Sequence, residues 1–439
     1  MQWSRYNMLF ESKRNGWLLY NSGSNSFVQM DVDTAGKIKE IVANPNMNLS
    51  DVPDLSLKLR LGGFLVEDGH DDKLLQIIEM RELTERFVGN KLLLTVVPTR
   101  ECNFACEYCY EKDRVPIKMS DETEANLVEF IKKHVEVTDV MVTWYGGEPL
   151  LEIERMKSLS EQIISLGKRY SASLITNAYL LTDEVIRTFN KMKIKNIQIT
   201  IDGLKEVHDK RRMLTNGNPT FDRVIENLDC LLVSDWDGSL NIRVNIDKRN
   251  SKVFADIHVF IKERYPTKMG KNINVYPGFV HDVKSPATMS PVSSYCFKTQ
   301  DIGNFLVKLE QDHNITTLPI FPRVQVNSCT LTKRNAYVVG PSGELYKCWN
   351  DLGIDNEVVG SIESTTGWNI PLIAEGLVGT IRQKDNKCAK CYFLPICEGG
   401  CPKLRMFNNR STIKHDLCTF FRSSIYEMLE MYCEQKSQK

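Results

Sequence analysis

The run Glu101-Cys102-Asn103-Phe104-Ala105-Cys106-Glu107-Tyr108-Cys109-Tyr110 constrains this chain more than any other stretch. Three thiols on one short loop suit a cubane four-iron cluster, which takes four ligands and is here offered three. The remaining iron is then open to a small molecule. A structural zinc site would fill all four positions, with its fourth Cys or His close by. Here His134 and Cys230 are distant in sequence. An iron left open inside a folded protein points to chemistry rather than to stapling.

The chain has 439 residues, 13 of them cysteine, with 56 Lys plus Arg balanced by 56 Asp plus Glu. Balanced charge gives no bulk attraction to nucleic acid or to an anionic membrane, so neither is expected as a partner. No apolar run reaches the ~18 residues of a membrane span, and Met1-Gln2-Trp3-Ser4-Arg5 does not open a signal peptide. A cytoplasmic location is expected. In a reducing compartment, that many cysteines argue for metal ligation over disulfides.

Hydrophobic patterning divides the chain in three: residues 1–88, 89–290 and 291–439. The first segment has two strand-like runs, 17–20 and 26–30, separated by Asn21-Ser22-Gly23-Ser24-Asn25 as in a hairpin, then helical stretches at 33–43 and 56–61. In the second, strands at 92–97, 140–144, 172–175, 197–201, 240–245 and 273–276 alternate with helices at 123–135, 153–170, 183–193, 221–232 and 252–264. Six strands linked by helices imply an α/β fold with a parallel sheet curling towards a partial barrel. The cysteine loop follows the first strand, at the rim where such barrels carry their sites. In the third segment a helix near 301–312 and a closing helix near 419–434 flank a cysteine-rich, turn-rich stretch. So little apolar patterning calls for metal staples. Cys230 and Cys433 are read as helix-face core residues.

The C-x3-C-x2-C spacing, followed by Gly146-Gly147-Glu148-Pro149 after the second strand, resembles the radical S-adenosylmethionine (radical SAM) superfamily over about residues 91–290. The resemblance implies a partial (β/α)6 TIM-barrel core. In it Cys102, Cys106 and Cys109 hold a [4Fe–4S] cluster whose open iron takes S-adenosyl-L-methionine, cleaved to a 5′-deoxyadenosyl radical. Gly146, Gly147 and Glu148 would hold the cofactor's amino group, with Thr176, Asn177, Asp202 and Arg212 as further contacts. Ala178 stands where relatives often have glycine. His208 and Asn245 read equally as site residues or as scaffold.

Further on, Cys329, Cys348, Cys388, Cys391, Cys397, Cys401 and Cys418 resemble the SPASM extension of radical SAM enzymes that modify peptides. This implies two auxiliary [4Fe–4S] clusters, making three in all. Cys388, Cys391, Cys397 and Cys418 would ligate the outer one, and Cys329, Cys348 and Cys401 the inner one. The inner fourth position is either Cys296 or open. The first segment resembles the small α+β, winged-helix-like domains that bind the leader of a ribosomally made precursor peptide at a strand edge, here 17–20 or 27–30. Taken together, the resemblances imply a maturase that cross-links a precursor peptide by a thioether or carbon–carbon bond, with a reductant such as flavodoxin or ferredoxin. A formylglycine-forming sulfatase maturase is the enzymatic rival, and a non-catalytic, cluster-stapled binding or electron-transfer protein the rival of another class.

Overall fold

A computed structural model describes residues 1–44, 52–111, 115–280, 295–326, 329–364, 366–412 and 414–437. The chain divides into two compact units. One comprises Met1–Arg86, Lys298–Cys329 and Val378–Lys439, and the other Phe87–Phe297 and Thr330–Leu377.

The first unit opens with β1 (Gln2–Trp3), β2 (Asn7–Ser12), β3 (Gly16–Asn21), β4 (Ser26–Met30) and β5 (Leu65–Val66), and with α1 (Val32–Ala43), α2 (Pro53–Leu61) and α3 (His70–Arg86). Strands β2, β3 and β4 form an antiparallel sheet with β3 in the middle, and β1 pairs with β5. A strand hydrogen-bonded on both sides has no edge to offer, so residues 17–20 cannot receive a peptide strand. Residues 27–30 lie on the edge strand β4.

The second unit is built on a nine-stranded sheet. Its parallel part runs in chain order through β6 (Lys91–Val96), β7 (Asp139–Trp144), β8 (Arg169–Thr176), β9 (Ile194–Thr200), β10 (Ser239–Ile246) and β11 (Ile273–Phe279). Helices α4 (Asp121–Lys133), α5 (Ile153–Ser165), α6 (Asp183–Ile186), α7 (Lys205–Arg211), α8 (Phe221–Val233) and α9 (Phe254–Arg264) make the crossovers. This is the mostly parallel α/β core expected, consistent with a partial barrel. Beyond β6 the sheet continues through β12 (Ala336–Val339), β13 (Glu344–Tyr346) and β14 (Gly360–Ser361), which the sequence reading left as turns.

Strands of a parallel sheet covered on both faces are apolar throughout. These alternate instead. Leu240, Ile242, Val244 and Ile246 are buried, while Arg243 and Asn245 between them are half-exposed. Thr143, Ser173, Gln198 and Tyr276 are half-exposed in the same way on neighbouring strands. One face of the sheet is therefore polar and reachable.

The C-terminal part supplies α10 (Thr299–His313), α11 (Ile370–Leu377), α12 (Asn386–Ala389), α13 (Pro402–Arg410) and α14 (Phe421–Ser437). In the first unit α10 and α14 pack on β2 and β3 around Met8, Tyr20, Leu306, Ile425 and Leu429. Cys433 on α14 is buried as expected, whereas Cys230 is exposed on α8 and is no core residue. Among the described residues no helix is long and apolar enough to cross a membrane.

Candidate active site

The cysteine loop leaves the C-terminal end of β6 and runs alongside the segment after α7. Ala105 N–H donates to Met213 O (2.8 Å), Glu107 N–H to Arg211 O (3.2 Å) and Thr215 N–H to Asn103 O (3.0 Å). On its other side lies the turn after β7. Gly147 N–H donates to Thr99 O (3.2 Å) and Glu148 N–H to Glu101 O (2.8 Å). This approach explains the glycine pair. Gly146 sits at φ 134°, and a Cβ on Gly147 would lie 1.9 Å from Glu101 O. No side chain fits between the two turns.

Glu148 is fully buried and does not point freely into a cavity. Its carboxylate accepts from Thr176 Oγ1 (2.7 Å), Asn177 N (2.8 Å) and Leu150 N (3.0 Å). Burial nonetheless pushes its pKa above the ordinary carboxylate range. Asn177 Nδ2 reaches Asn103 Oδ1 (2.7 Å) and lies 3.9 Å from Cys102 Sγ. Gly146, Gly147, Glu148, Thr176 and Asn177 thus meet at the first cysteine.

Arg212 and Asp202 join the loop from the other side. Tyr108, between the second and third cysteines, accepts from Arg212 Nη1 (2.6 Å) and Asn245 Nδ2 (3.1 Å). Asp202 Oδ1 accepts from Asn245 N (3.0 Å). Burial works against the Arg212 charge, but Cys106, Tyr108 and Asp202 more than offset it, so the guanidinium is held cationic. Its buried Nε has no hydrogen-bond partner among the described residues. His208 is scaffold. Its Nδ1 accepts from Asp202 N (3.4 Å) and its Nε2 faces Thr220 Oγ1 (3.1 Å). Burial and the Arg212 charge hold its pKa well below the usual value, which keeps it neutral.

The sequence reading set Arg211 beside Arg212 after the fourth strand but missed its contacts: Nη1 bonds Glu107 (2.9 Å) and Asp247 (3.1 Å) while Nε reaches Asp202 (3.4 Å). It also missed the contact of the Tyr110 and Tyr145 hydroxyls, and the packing of Tyr145 on Trp349 with ring centroids 5.0 Å apart. Trp349 follows Cys348, so adjacency to a nominated cysteine was the available signal.

The donor set fits a cubane cluster. Each iron takes one thiolate, so its ligands need not converge on a point as around one ion. Among the described residues no three His, Cys, Asp or Glu side chains make a single-ion site. The unpartnered Arg212 Nε and the backbone-lined glycine turn suit a polar ligand beside the loop.

Cys388, Cys391, Cys397, Cys401 and Cys418 lie in the other unit. There Arg405 Nη2 is 3.7 Å from Cys388 Sγ, Gly399 N is 3.2 Å from Cys397 Sγ, and Arg422 Nη1 is 3.1 Å from Cys418 Sγ. Of the cysteines nominated for the inner set, Cys329 and Cys401 fall in this unit and Cys348 in the sheet unit.

Comparison with known proteins finds similarity over the sheet core and beyond it. Residues 96–259 match the Radical SAM superfamily. The chain is 24% identical over 344 residues to a serine-type anaerobic sulfatase-maturating enzyme of Bacteroides thetaiotaomicron, covering 69% of this chain and 80% of that one. A solved structure of native anSMEcpe with bound AdoMet and Cp18Cys peptide superposes with a TM-score of 0.60 at 19% identity, over 79% of this chain and 97% of that one. Streptococcus suis SuiB bound to its precursor peptide SuiA gives a TM-score of 0.52 at 16% identity, over 95% and 99%. Residues 96–259 match a radical SAM domain, and the chain that carries them is an enzyme with a cysteine-rich C-terminal region.

Proposed function

We propose that the chain is a peptide maturase. It binds S-adenosylmethionine at the Cys102–Cys106–Cys109 loop and links two side chains of a ribosomally made precursor by a thioether or carbon–carbon bond. The observation that carries the reading is the meeting, on the cysteine loop, of two hydrogen-bonded groups, Cys102 with Asn177, Glu148 and the Gly146–Gly147 turn, and Tyr108 with Arg212, beside a polar, reachable sheet face. S-adenosylmethionine, where bound, would supply hydrogen-atom abstraction chemistry towards an unactivated C–H bond.

The protein's own residues do the rest. Cys102, Cys106 and Cys109 hold the cluster. The two glycines bring the β7 turn against it, and Glu148 ties that turn to the end of β8. Arg212, kept cationic, presents N–H donors to the cofactor's carboxylate. Cys388, Cys391, Cys397 and Cys418 would hold an outer auxiliary cluster. A flavodoxin- or ferredoxin-type reductant supplies the electron.

The leader is assigned to the β4 edge. In support, the likeness to SuiB leaves only 5% of 439 residues unmatched, about 22, against the 86 residues of Met1–Arg86. The likeness to anSMEcpe leaves 21%, about 92. A second reading, oxidation of a Cys or Ser to formylglycine, is favoured by the sulfatase-maturating relative.

The test is anaerobic reconstitution with iron, sulfide, S-adenosylmethionine, dithionite and the candidate peptide. We expect 5′-deoxyadenosine from the native protein and none from Cys102→Ala, together with a peptide that has lost two hydrogens and gained no carbonyl. A hydrazine-reactive aldehyde in the peptide would establish the second reading instead. Equal 5′-deoxyadenosine from both proteins would refute radical chemistry at this loop.

A further inference from the structure

The cysteines at 388–418 are met by guanidinium groups, which the proposed function does not use. Arg405 is only 5% exposed and cannot swing away. Its Nη2 donates to Gly399 O (2.8 Å) and lies 3.7 Å from Cys388 Sγ, while Nη1 bonds Asp385 Oδ2 (3.2 Å). Arg422, in the first turn of α14 and four residues after Cys418, puts Nη1 3.1 Å from its sulfur and is exposed. Cys397 Sγ accepts from Gly399 N–H (3.2 Å). Buried Arg382 lies under that glycine, where a Cβ would meet its side chain at 3.1 Å. Two carboxylates also face the loop. Asp385 accepts from Lys387 N (2.9 Å) and Cys388 N (3.4 Å), and Asp416 from Cys418 N (2.9 Å).

We propose that Arg405 and Arg422 raise the reduction potential of the cluster held by Cys388, Cys391, Cys397 and Cys418, poising it to accept an electron. The inference rests on the reading that these four cysteines ligate a cluster. One-electron reduction adds a negative charge to the cluster. A fixed cation hydrogen-bonded to its sulfurs stabilises that form, and such bonds are among the levers that set cluster potentials. The two arginines differ in dielectric surroundings. The buried one acts in a low-dielectric site with little screening, and the exposed one acts across water, where salt attenuates it over a Debye length of about 10 Å. By contrast, two donors to Cys102 Sγ at the first cluster loop are neutral amides, Phe104 N (3.4 Å) and Asn177 Nδ2 (3.9 Å).

The experiment is an EPR-monitored redox titration of the full-length, anaerobically loaded protein, with iron and sulfide counted in every sample. We expect Arg405→Gln to lower one midpoint potential, Arg422→Gln to lower the same one by less, and Arg405→Lys to recover part of the loss. Added salt should shrink the Arg422 effect and leave the Arg405 effect nearly unchanged. If Arg405→Gln does not load its iron, the exposed Arg422→Gln alone decides the matter. Full iron content with unmoved midpoints in both glutamine variants would overturn the proposal. Cys391→Ala with the native iron count would show that no cluster sits there, overturning the underlying reading and the proposal with it.

Discussion

The cysteine loop at 102–109 is positioned by backbone. It runs along the 211–215 segment through N–H···O bonds and rests against a glycine turn that admits no Cβ. The cysteines at 388–418 are positioned by charge. Arg405 clamps Asp385 and Gly399, and Arg382 sits in a buried group with Glu82 and Arg86 from α3. The difference follows from the scaffolds. A strand end in a regular sheet offers rows of amide donors and carbonyl acceptors at fixed spacing. The C-terminal region has short helices and turns instead, so ionic side chains must satisfy and orient its loops. The glycine turn of the first arrangement resists changes of volume, and the loops of the second resist changes of charge.

The largest effect that would test this contrast is expected at Glu82. This carboxylate is 1% exposed and lies between the equally buried Arg86 and Arg382. Glu82→Gln removes one charge and leaves two buried guanidiniums without their shared counter-ion, which costs about 3–5 kcal/mol. Chemical denaturation of the full chain measures it. A loss below 1 kcal/mol would mean that charge does not hold this region together.

The complementary change is Gly147→Ala in the first region. Its methyl meets backbone rather than a movable side chain, at 1.9 Å from Glu101 O. Separating the turns costs about 1–3 kcal/mol and is expected to weaken S-adenosylmethionine binding, read by equilibrium dialysis of the reconstituted protein. Native-like stability and binding would show that the turns part freely.

These two positions also show what the sequence disclosed. Gly147 was legible because its glycine pair is sequence-adjacent and follows a strand with clean two-residue alternation. Glu82 was not. Its helix, α3, has a weak apolar stripe, and its partner Arg382 lies 300 residues away in a turn-rich stretch. The same distance problem hid β12, whose partner strand β6 is more than 240 residues upstream. Yet Ala336-Tyr337-Val338-Val339 followed by Gly340-Pro341-Ser342-Gly343 is a readable strand and turn. The middle position of β3 was also out of reach, because alternation marks a strand without saying how many neighbours it has. Arg422 left a signal in its closeness to Cys418, four residues along the chain.

An intermediate effect is expected at Glu148, and it depends on pH. Its three hydrogen bonds come from donors, so the amide nitrogen of Glu148→Gln would face one of them, costing about 1–2 kcal/mol near neutrality. Because its folded pKa is raised, the folded protein keeps this proton to higher pH than the unfolded chain. Its contribution to stability is therefore greatest below the ordinary carboxylate pKa and declines as pH rises through the raised value. The variant lacks that decline, so the gap between the two proteins should narrow as pH rises across the window. A constant gap from acid to neutral pH would show that Glu148 titrates as an ordinary carboxylate.

The smallest effect concerns whether the backbone-held region stores strain. Ala178 follows Asn177 at φ 66°, with its methyl fully buried. An L-residue held there costs about 1–2 kcal/mol relative to right-handed backbone. Ala178→Gly releases that, loses about 0.8 kcal/mol of methyl burial and gives the unfolded chain about 0.4–1 kcal/mol more entropy. The terms nearly cancel, so the midpoint of denaturation should barely move. Ala172→Gly is the control. That alanine is 3% exposed inside β8 and not among the positive-φ residues, so it loses burial and entropy with no relief, about 1.5 kcal/mol. If the two variants fall equally, the turn after β8 bears no strain, and its hydrogen bonds to Glu148, Thr176 and Asn227 fix its geometry.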